Sequence, residues 1–533
     1  MRLFVSSGWD FKMKVDSMNY KLMIRLVFLV SSICLFTLGF AFEKKGRPNI
    51  LFLTLDDMNW DSMGVYGSKV PKITPHMDAL AKEGLRFKYA YVQSPNCSPS
   101  RNVFQTGRYP HNSGLVGFYN VQPSFKTLPE QLKENGYITA VLNKPRDSSM
   151  HGDYDQFWDH HEIMKADRKR DAASYKRVFE DFLERVREDK KPFYCVVNVA
   201  DPHKPFFGEA ASKKEGMDDF EPSRLYKTNE VEVPPFLPEA KEIHQEIADY
   251  YNSVKRADDC IGSVLEAFRE SEFKENTIVM LVSDHGMALP FAKSSLYPNG
   301  VRTPWVVTWP GKIKPNTVEK RHMISAIDFM PTILDLCGID PDPTVDGRSF
   351  LPLIQGREQA GRDKVFVQFN ENAGGNPSPM RAVITKKYCY VFNAWSNGER
   401  AFMSASNFHT SYKKMKKMAA TDPKVEARFN HLQKRSVEEL YAIDKDPHAL
   451  KNLIDKSVYK SIAEQLQSTL ENWMKENQDP ALDAFLIKED PQKLDAWFMA
   501  EDKSAELRAQ TIQWKRYKNR AGGTGKNKKL FIK

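Results

Sequence analysis

An α/β fold, with a large layered domain followed by a smaller antiparallel one, is what this sequence predicts, and three observations predict it. Three short apolar runs, 49–57, 193–203 and 277–286, each end in carboxylate or imidazole side chains. Helical patterns separate these runs, and from Arg381 onward the strand-like segments become shorter and closer together. Runs apolar on both faces read as buried strands of a parallel sheet. Their alternation with helices reads as a layered α/β structure.

Taken in order, the chain first places Lys14, Lys21 and Arg25 ahead of an apolar run from Leu26 to Phe42, with Gly39-Phe40-Ala41 as a cleavage-like site. This reads as a secretory signal peptide over 1–42 and predicts an exported, periplasmic or secreted protein. The run lies deep in the chain, so Met18 or Met23 is an alternative start; an uncleaved membrane anchor is the other reading at this short length. The run at 49–57 predicts a strand delivering Asp56 and Asp57 to the sheet edge where ligands of open α/β sheets gather. A helix over 75–83 follows, then a turn-rich stretch at 94–99, then a helix over 128–135 stopped by Gly136. Residues 136–143 form a strand-like run leading to Lys144. The strand at 193 runs into Asp201 and His203; a long amphipathic helix spans 246–270, and the strand at 277 runs into Asp284 and His285. The Gly, Pro and Asn residues of 374–379 predict a boundary. Beyond it come strands within 381–393 and 438–443 and a helix over 458–476. The expected organisation is a catalytic α/β domain over 47–373, a C-terminal subdomain over 380–490, and a basic tail over 503–533.

At 533 residues the chain exceeds one ordinary core, and its 41% hydrophobic and 28% charged content is that of a globular protein. The net charge of +9 is local, because 503–533 holds ten Lys or Arg and one acid and the other 502 residues are neutral in sum. That argues against a nucleic-acid partner and predicts a disordered, solvated tail, with contact to a polyanion or a membrane surface as the alternative. Six cysteines are widely spaced without a C-x-x-C pair, which reads as free thiols rather than a disulfide framework.

Cys97 lies four residues before Arg101. A thiol beside a fixed cation is either reactive through a lowered pKa or another buried core cysteine. Asp56, Asp57 and Asp284, brought to one edge, would repel one another unless a hard cation joined them; taken singly, each is a cap or turn residue. Lys144 and Lys293, taken singly, are surface charges. His203 is a structural histidine or a general acid that titrates near neutrality. His111, close behind the turn-rich stretch, is a core residue or part of a pocket wall.

Cys97-x-Pro99-Ser100-Arg101 followed by Thr106-Gly107-Arg108 resembles the signature of type I, formylglycine-dependent sulfatases, with Gln105 where leucine is common. Residues 381–388 and 439–447 resemble the C-terminal subdomain of that family, so the likeness runs from about Arg47 to Glu476. It implies an alkaline-phosphatase-like large mixed sheet sandwiched by helices, with a smaller antiparallel sheet and helix. It further implies that a formylglycine-generating maturation enzyme converts Cys97, and that one Ca2+ is held by Asp56, Asp57, Asp284, His285 and the modified Cys97. By the same resemblance Lys144 and Lys293 grip sulfate, Arg101 orients the reacting group and His203 protonates the leaving atom. Asp201, Arg146 and His111 are the candidate substrate contacts. Arg146 stands where relatives carry a histidine, so either Arg146 binds substrate while another base such as His151 acts, or turnover is impaired.

Within the family the likeness is greatest to heparan N-sulfatases, through 74–78, 97–101, 201–203, 233–238, 296–300, 379–383 and 446–453. This predicts a sulfated saccharide substrate and hydrolysis of N-sulfoglucosamine. Ala200 and Arg146 stand where those enzymes have histidine, and Asn143 departs from their Gly-Lys. An exo-acting O-sulfatase on another polysaccharide, a phosphate or phosphonate ester hydrolase, and a non-catalytic sulfoglycan-binding protein are therefore the alternatives.

Overall fold

The computed structural model describes residues 46–165 and 168–510, so the predicted signal segment and the tail beyond 510 lie outside the described residues. Eight strands form one sheet: β1 (Asn49–Leu55), β2 (Leu85–Tyr91), β3 (Ile138–Leu142), β4 (His160–Glu162), β5 (Phe193–Val199), β6 (Thr277–Ser283), β7 (Trp305–Thr308) and β8 (Thr317–Ser325), in the order β4-β3-β5-β1-β6-β7-β2-β8. The sheet is mixed because β7 runs antiparallel to β6 and β2. The three apolar runs are the adjacent strands β5, β1 and β6, all parallel and wholly buried. Leu55 stands opposite both Val199 and Ser283, so the polar residues after each strand leave the sheet at the same level.

Helices α1 (Pro75–Lys82), α2 (Cys97–Thr106), α3 (Leu128–Glu134), α4 (Ala172–Asp189), α5 (Lys241–Glu270) and α6 (Phe329–Leu336) cover this sheet. Packing joins α1 and α4 to α5, and separately α3 and α6 to α2. Phe52 of β1 stacks on Phe329 of α6 at 4.2 Å and meets Phe104 of α2 at 5.2 Å. Each such buried ring contributes about 1.5–3 kcal/mol relative to exposure, and these contacts seat α2 on the central strand. Gly107 ends α2 with φ 61°, donating its N–H to the Val103 carbonyl; a side chain there would be strained. Gln105, the departure from the family pattern, is buried and accepts a hydrogen bond from the Tyr194 hydroxyl at 3.0 Å, so the polar change has a polar partner.

A second, antiparallel sheet, β12-β11-β10-β9, is built from β9 (Lys364–Glu371), β10 (Pro377–Thr385), β11 (Cys389–Asn393) and β12 (Glu438–Tyr441). The Gly- and Asn-rich stretch read as a boundary is the turn joining β9 to β10, so the sheet already begins at Lys364. Among the described residues four helices of ten residues or more accompany this sheet: α7 (Thr410–Ala419), α8 (Pro423–Lys434), α9 (Lys460–Glu476) and α10 (Pro491–Gln510). Only α9 was expected, although Asp422 before Pro423 is a legible helix start whose carboxylate accepts from the N–H groups of Lys424 and Val425. The expected disorder from 503 is corrected as far as 510. There Ala505 and Ala509 are buried, and Arg508 pairs with the fully buried Glu371 at 2.5 Å. Among the described residues five cysteines are free and buried, and no helix is long and apolar enough to cross a membrane.

Candidate active site

Cys97 is the first residue of α2, presented at the sheet edge where β1, β5 and β6 end. Its Sγ lies 3.5 Å from Asp56 Oδ1, 3.4 Å from His285 Nε2, 3.4 Å from Lys293 Nζ and 4.0 Å from Asp57 Oδ1. Burial pushes the thiol well above its ordinary range, outweighing the nearby Lys293. The pocket therefore disfavours the thiolate of an unmodified Cys97, against the reading of a thiol activated through a lowered pKa.

Three carboxylates surround it, each 1% exposed or less, and each with a cation. Lys144 pairs with Asp56, Lys293 reaches both Asp57 oxygens at 2.7 and 2.9 Å, and Arg101 grips Asp284 at 2.9 Å. Burial opposes the charge of Asp56, but Lys144 and Arg101 hold it well below the usual carboxylate range; Lys293 lowers Asp57 in the same way. Asp284 goes the other way, because burial outweighs His285 and Arg101. Asp57 takes a backbone φ of 69°, in the left-handed region uncommon for residues other than glycine, and its N–H bonds Asp284 Oδ1 at 3.0 Å.

Arg101 is buried and organises the floor. Its Nε donates to Asp284 at 3.0 Å, and its Nη1 donates to Thr54 Oγ1 and Asn198 Oδ1, both at 2.6 Å. Thr54 and Asn198, neighbours on β1 and β5, were not singled out from sequence; their signal was a polar residue inside an otherwise apolar strand run.

The donors Asp56, Asp57, Asp284, His285 and Cys97 fit a hard divalent cation. Within two overlapping groups drawn from them and His203, the ligand atoms all lie within 4.8 Å of one another. The Nδ1 of His285 donates to the Gly286 carbonyl at 2.9 Å, leaving Nε2 as a lone-pair donor 3.2 Å from Asp57 Oδ1. Lys144 and Lys293 now supply positive charge to the same carboxylates, so a cation held there would release both ammonium groups toward a bound anion.

Above the site opens a cleft of about 2440 Å³, lined by Cys97, Lys144, Arg146, His203 and Lys293 among others. The side chain of His203 is 40% exposed to it, with Nε2 4.0 Å from Asp57 and Nδ1 donating to the Lys204 carbonyl at 2.5 Å. Its imidazole is held below its ordinary pKa, by burial against a partial offset from Asp57. Arg146 follows Lys144 on a short 3-10 turn and reaches the cleft wall.

Two expected substrate contacts lie elsewhere. Asp201 is fully buried, with its carboxylate enclosed by the guanidinium groups of Arg170 and Arg256, and it faces no open cleft. His111 bonds Gln368 and the Asn477 carbonyl, each at 3.1 Å, and packs against Tyr109 and Trp473, so it ties α9 to the second sheet. His151, the suggested substitute base, packs on Phe157 at 4.7 Å. The cleft instead gains His409, Thr410 and Phe408 from the segment before and into α7, none of them anticipated.

Comparison with known proteins places these observations among relatives. Residues 48–339 match the family model described as Sulfatase, and residues 284–405 match one described as N-sulphoglucosamine sulphohydrolase, C-terminal. The chain is similar to the human N-sulphoglucosamine sulphohydrolase, 28% identical over 82% of this chain and 92% of that protein. It is also similar to an ulvan-active sulfatase of Formosa agariphila, 26% identical over 80% of this chain and 75% of that protein. The fold resembles that of BT4656, solved in complex with its substrate D-glucosamine-2-N,6-O-disulfate, with a TM-score of 0.61 and 19% identity over 82% of this chain and 99% of that one.

Proposed function

This chain belongs to the sulfatase family, and from that premise we propose that it removes sulfamate or sulfate-ester groups from a sulfated saccharide, with position 97 as the reacting residue and N-sulfoglucosamine as the preferred sugar. It is a sulfuric ester hydrolase with the alkaline-phosphatase-like fold. The observation that carries the reaction is the meeting of Cys97 with cations and three buried carboxylates, Sγ lying 3.4 Å from Lys293 Nζ beside Asp56, Asp57 and Asp284; the choice of sugar is supported by the C-terminal match and the human relative alone.

A hydrated formylglycine at position 97 supplies the nucleophilic hydroxyl, and a Ca2+ held by Asp56, Asp57, Asp284 and His285 supplies Lewis acidity. The rest is work for this chain's own side chains. Lys144 and Lys293 exchange carboxylate partners for the oxygens of the anionic group. Arg101, locked by Asp284, Thr54 and Asn198, fixes the first turn of α2 and so the direction of attack. His203 stands in the open cleft, where a bound anion raises its proton affinity and lets Nε2 deliver a proton to the leaving nitrogen or oxygen. Arg146, on the wall beside Lys144, takes part of the anion's charge.

The second reading, an O-sulfatase, is favoured by one feature. Ala200, beside His203 on the cleft wall, has no polar side chain for an amino-sugar substituent, and the relatives include ulvan-active and N-acetylgalactosamine-6-sulfatases. The apolar run at 26–42 supports an exported enzyme. Mass spectrometry of the peptide spanning Cys97, after co-expression with a maturation enzyme, is expected to read the aldehyde. Sulfate release is expected to be fastest from N-sulfoglucosamine. An intact thiol rejects the mechanism, and release from O-sulfated sugars alone selects the second reading.

A further inference from the structure

We propose that His409 is a specificity-determining residue whose Nε2 accepts a hydrogen bond from an O–H or N–H donor on the sugar carrying the sulfate group. The inference rests on the sulfatase reading of the cleft and adds to it a contact made by the segment that leads into α7.

His409 is half-buried on the cleft wall shared with His203, Lys204 and Lys293. Its Nδ1 lies 2.7 Å from the Ala288 carbonyl, on the loop between His285 and Lys293. A carbonyl only accepts, so Nδ1 carries the proton and the neutral ring presents Nε2 as a lone pair. Among the described residues Nε2 has no hydrogen-bond partner. Burial, then the cations Lys204 and Lys293, pull the imidazole down to about 3, so it stays an acceptor at neutral pH.

The ring is also held rigidly. The next two backbone N–H groups, of Thr410 and Ser411, donate to Glu246 at 3.1 and 2.7 Å, and Lys204 bonds the same carboxylate at 2.7 Å. Lys204 adjoins His203, so one network fixes the general-acid candidate and His409 relative to each other. Phe408, 70% exposed on the same wall, offers an apolar face beside the acceptor. A cleft of about 2440 Å³ is far larger than one sulfate group needs, and it leaves room for a whole sugar against this wall.

The test measures binding, so that it does not depend on turnover. In a Cys97→Ser background, calorimetry compares N-sulfoglucosamine, N-acetylgalactosamine 6-sulfate and methylumbelliferyl sulfate, with His409 intact, changed to Ala, or changed to Gln. His409→Ala is expected to weaken the tighter-binding sugar roughly fivefold or more while leaving the aryl sulfate, which has no sugar donor, unchanged. His409→Gln, which keeps an acceptor, is expected to recover part of the loss. Equal weakening of sugar and aryl sulfate, no weakening of either, or no sugar binding at all overturns the inference. A mature wild-type enzyme that releases no sulfate, while sugar binding still depends on His409, rejects the reaction and leaves this contact standing.

Discussion

Arg101 makes more contacts at the site floor than the motif alone implied. Its guanidinium joins Asp284, Thr54 and Asn198 while 2% exposed, so Arg101→Ala leaves Asp284 buried without its principal partner. Removing one member of such a pair costs about 3–5 kcal/mol. We expect urea denaturation to report a loss of that order, with sulfate release falling by roughly a hundredfold or more as the first turn of α2 loses its anchor. Arg146 differs. It is exposed on the cleft wall, so Arg146→Ala is expected to lower sulfate release at least tenfold with unchanged stability. An unchanged rate removes Arg146 from the site. Both arginines were visible in sequence, Arg101 as a motif member and Arg146 as a departure. Their difference in burial was not, because burial depends on β1 and β5, which lie far from both in the chain.

At the scale of elements, β5, β1 and β6 were legible because each is apolar on both faces and ends in acid or imidazole. The helices α7, α8 and α10 were not expected; α7 buries Ser411 and Met415, and α8 buries Val425 and Leu432, so each puts few side chains into the core. The join between α9 and the second sheet shows how a helix docks there. Arg381 and Asp479 are both fully buried and bonded at 2.8 Å between Nη2 and Oδ1. Burial alone would raise the Asp479 carboxyl, but Arg381 holds it below its ordinary value. A carboxyl lowered in the native state contributes stability that is fully present above the unfolded pKa of about 3.9 and is lost as pH falls through the native value. We therefore expect unfolding free energy to drop as pH goes below about 4. In Asp479→Asn that part of the dependence should be absent, and the starting stability lower. Identical acid profiles for the two proteins would rule the pair out as its source.

For the whole molecule, the catalytic edge is a place where charge is concentrated and then balanced. Asp56, Asp57 and Asp284, all buried, face Lys144, Lys293 and Arg101 at the floor of the open cleft. If these donors hold a divalent cation, it binds the native state alone. Chelation should then lower the melting temperature and Ca2+ raise it again, the ion adding about 2.7 kcal/mol of stability at a hundredfold excess over Kd. Melting curves unmoved by either treatment would reject the site. The sequence by itself determined the layered α/β class, the three strand ends, the motif at Cys97 and the acids that would meet it, because local periodicity and short motifs are properties of neighbouring residues. Only the tertiary structure decided that Asp201 is enclosed by Arg170 and Arg256, that His111 packs between α9 and the second sheet, that Cys97 is buried among acids and cations, and that His409 reaches the cleft. Each of these depends on burial or contact between residues far apart in the chain, set by how the strands order in the sheet and how the second layer folds back over its edge.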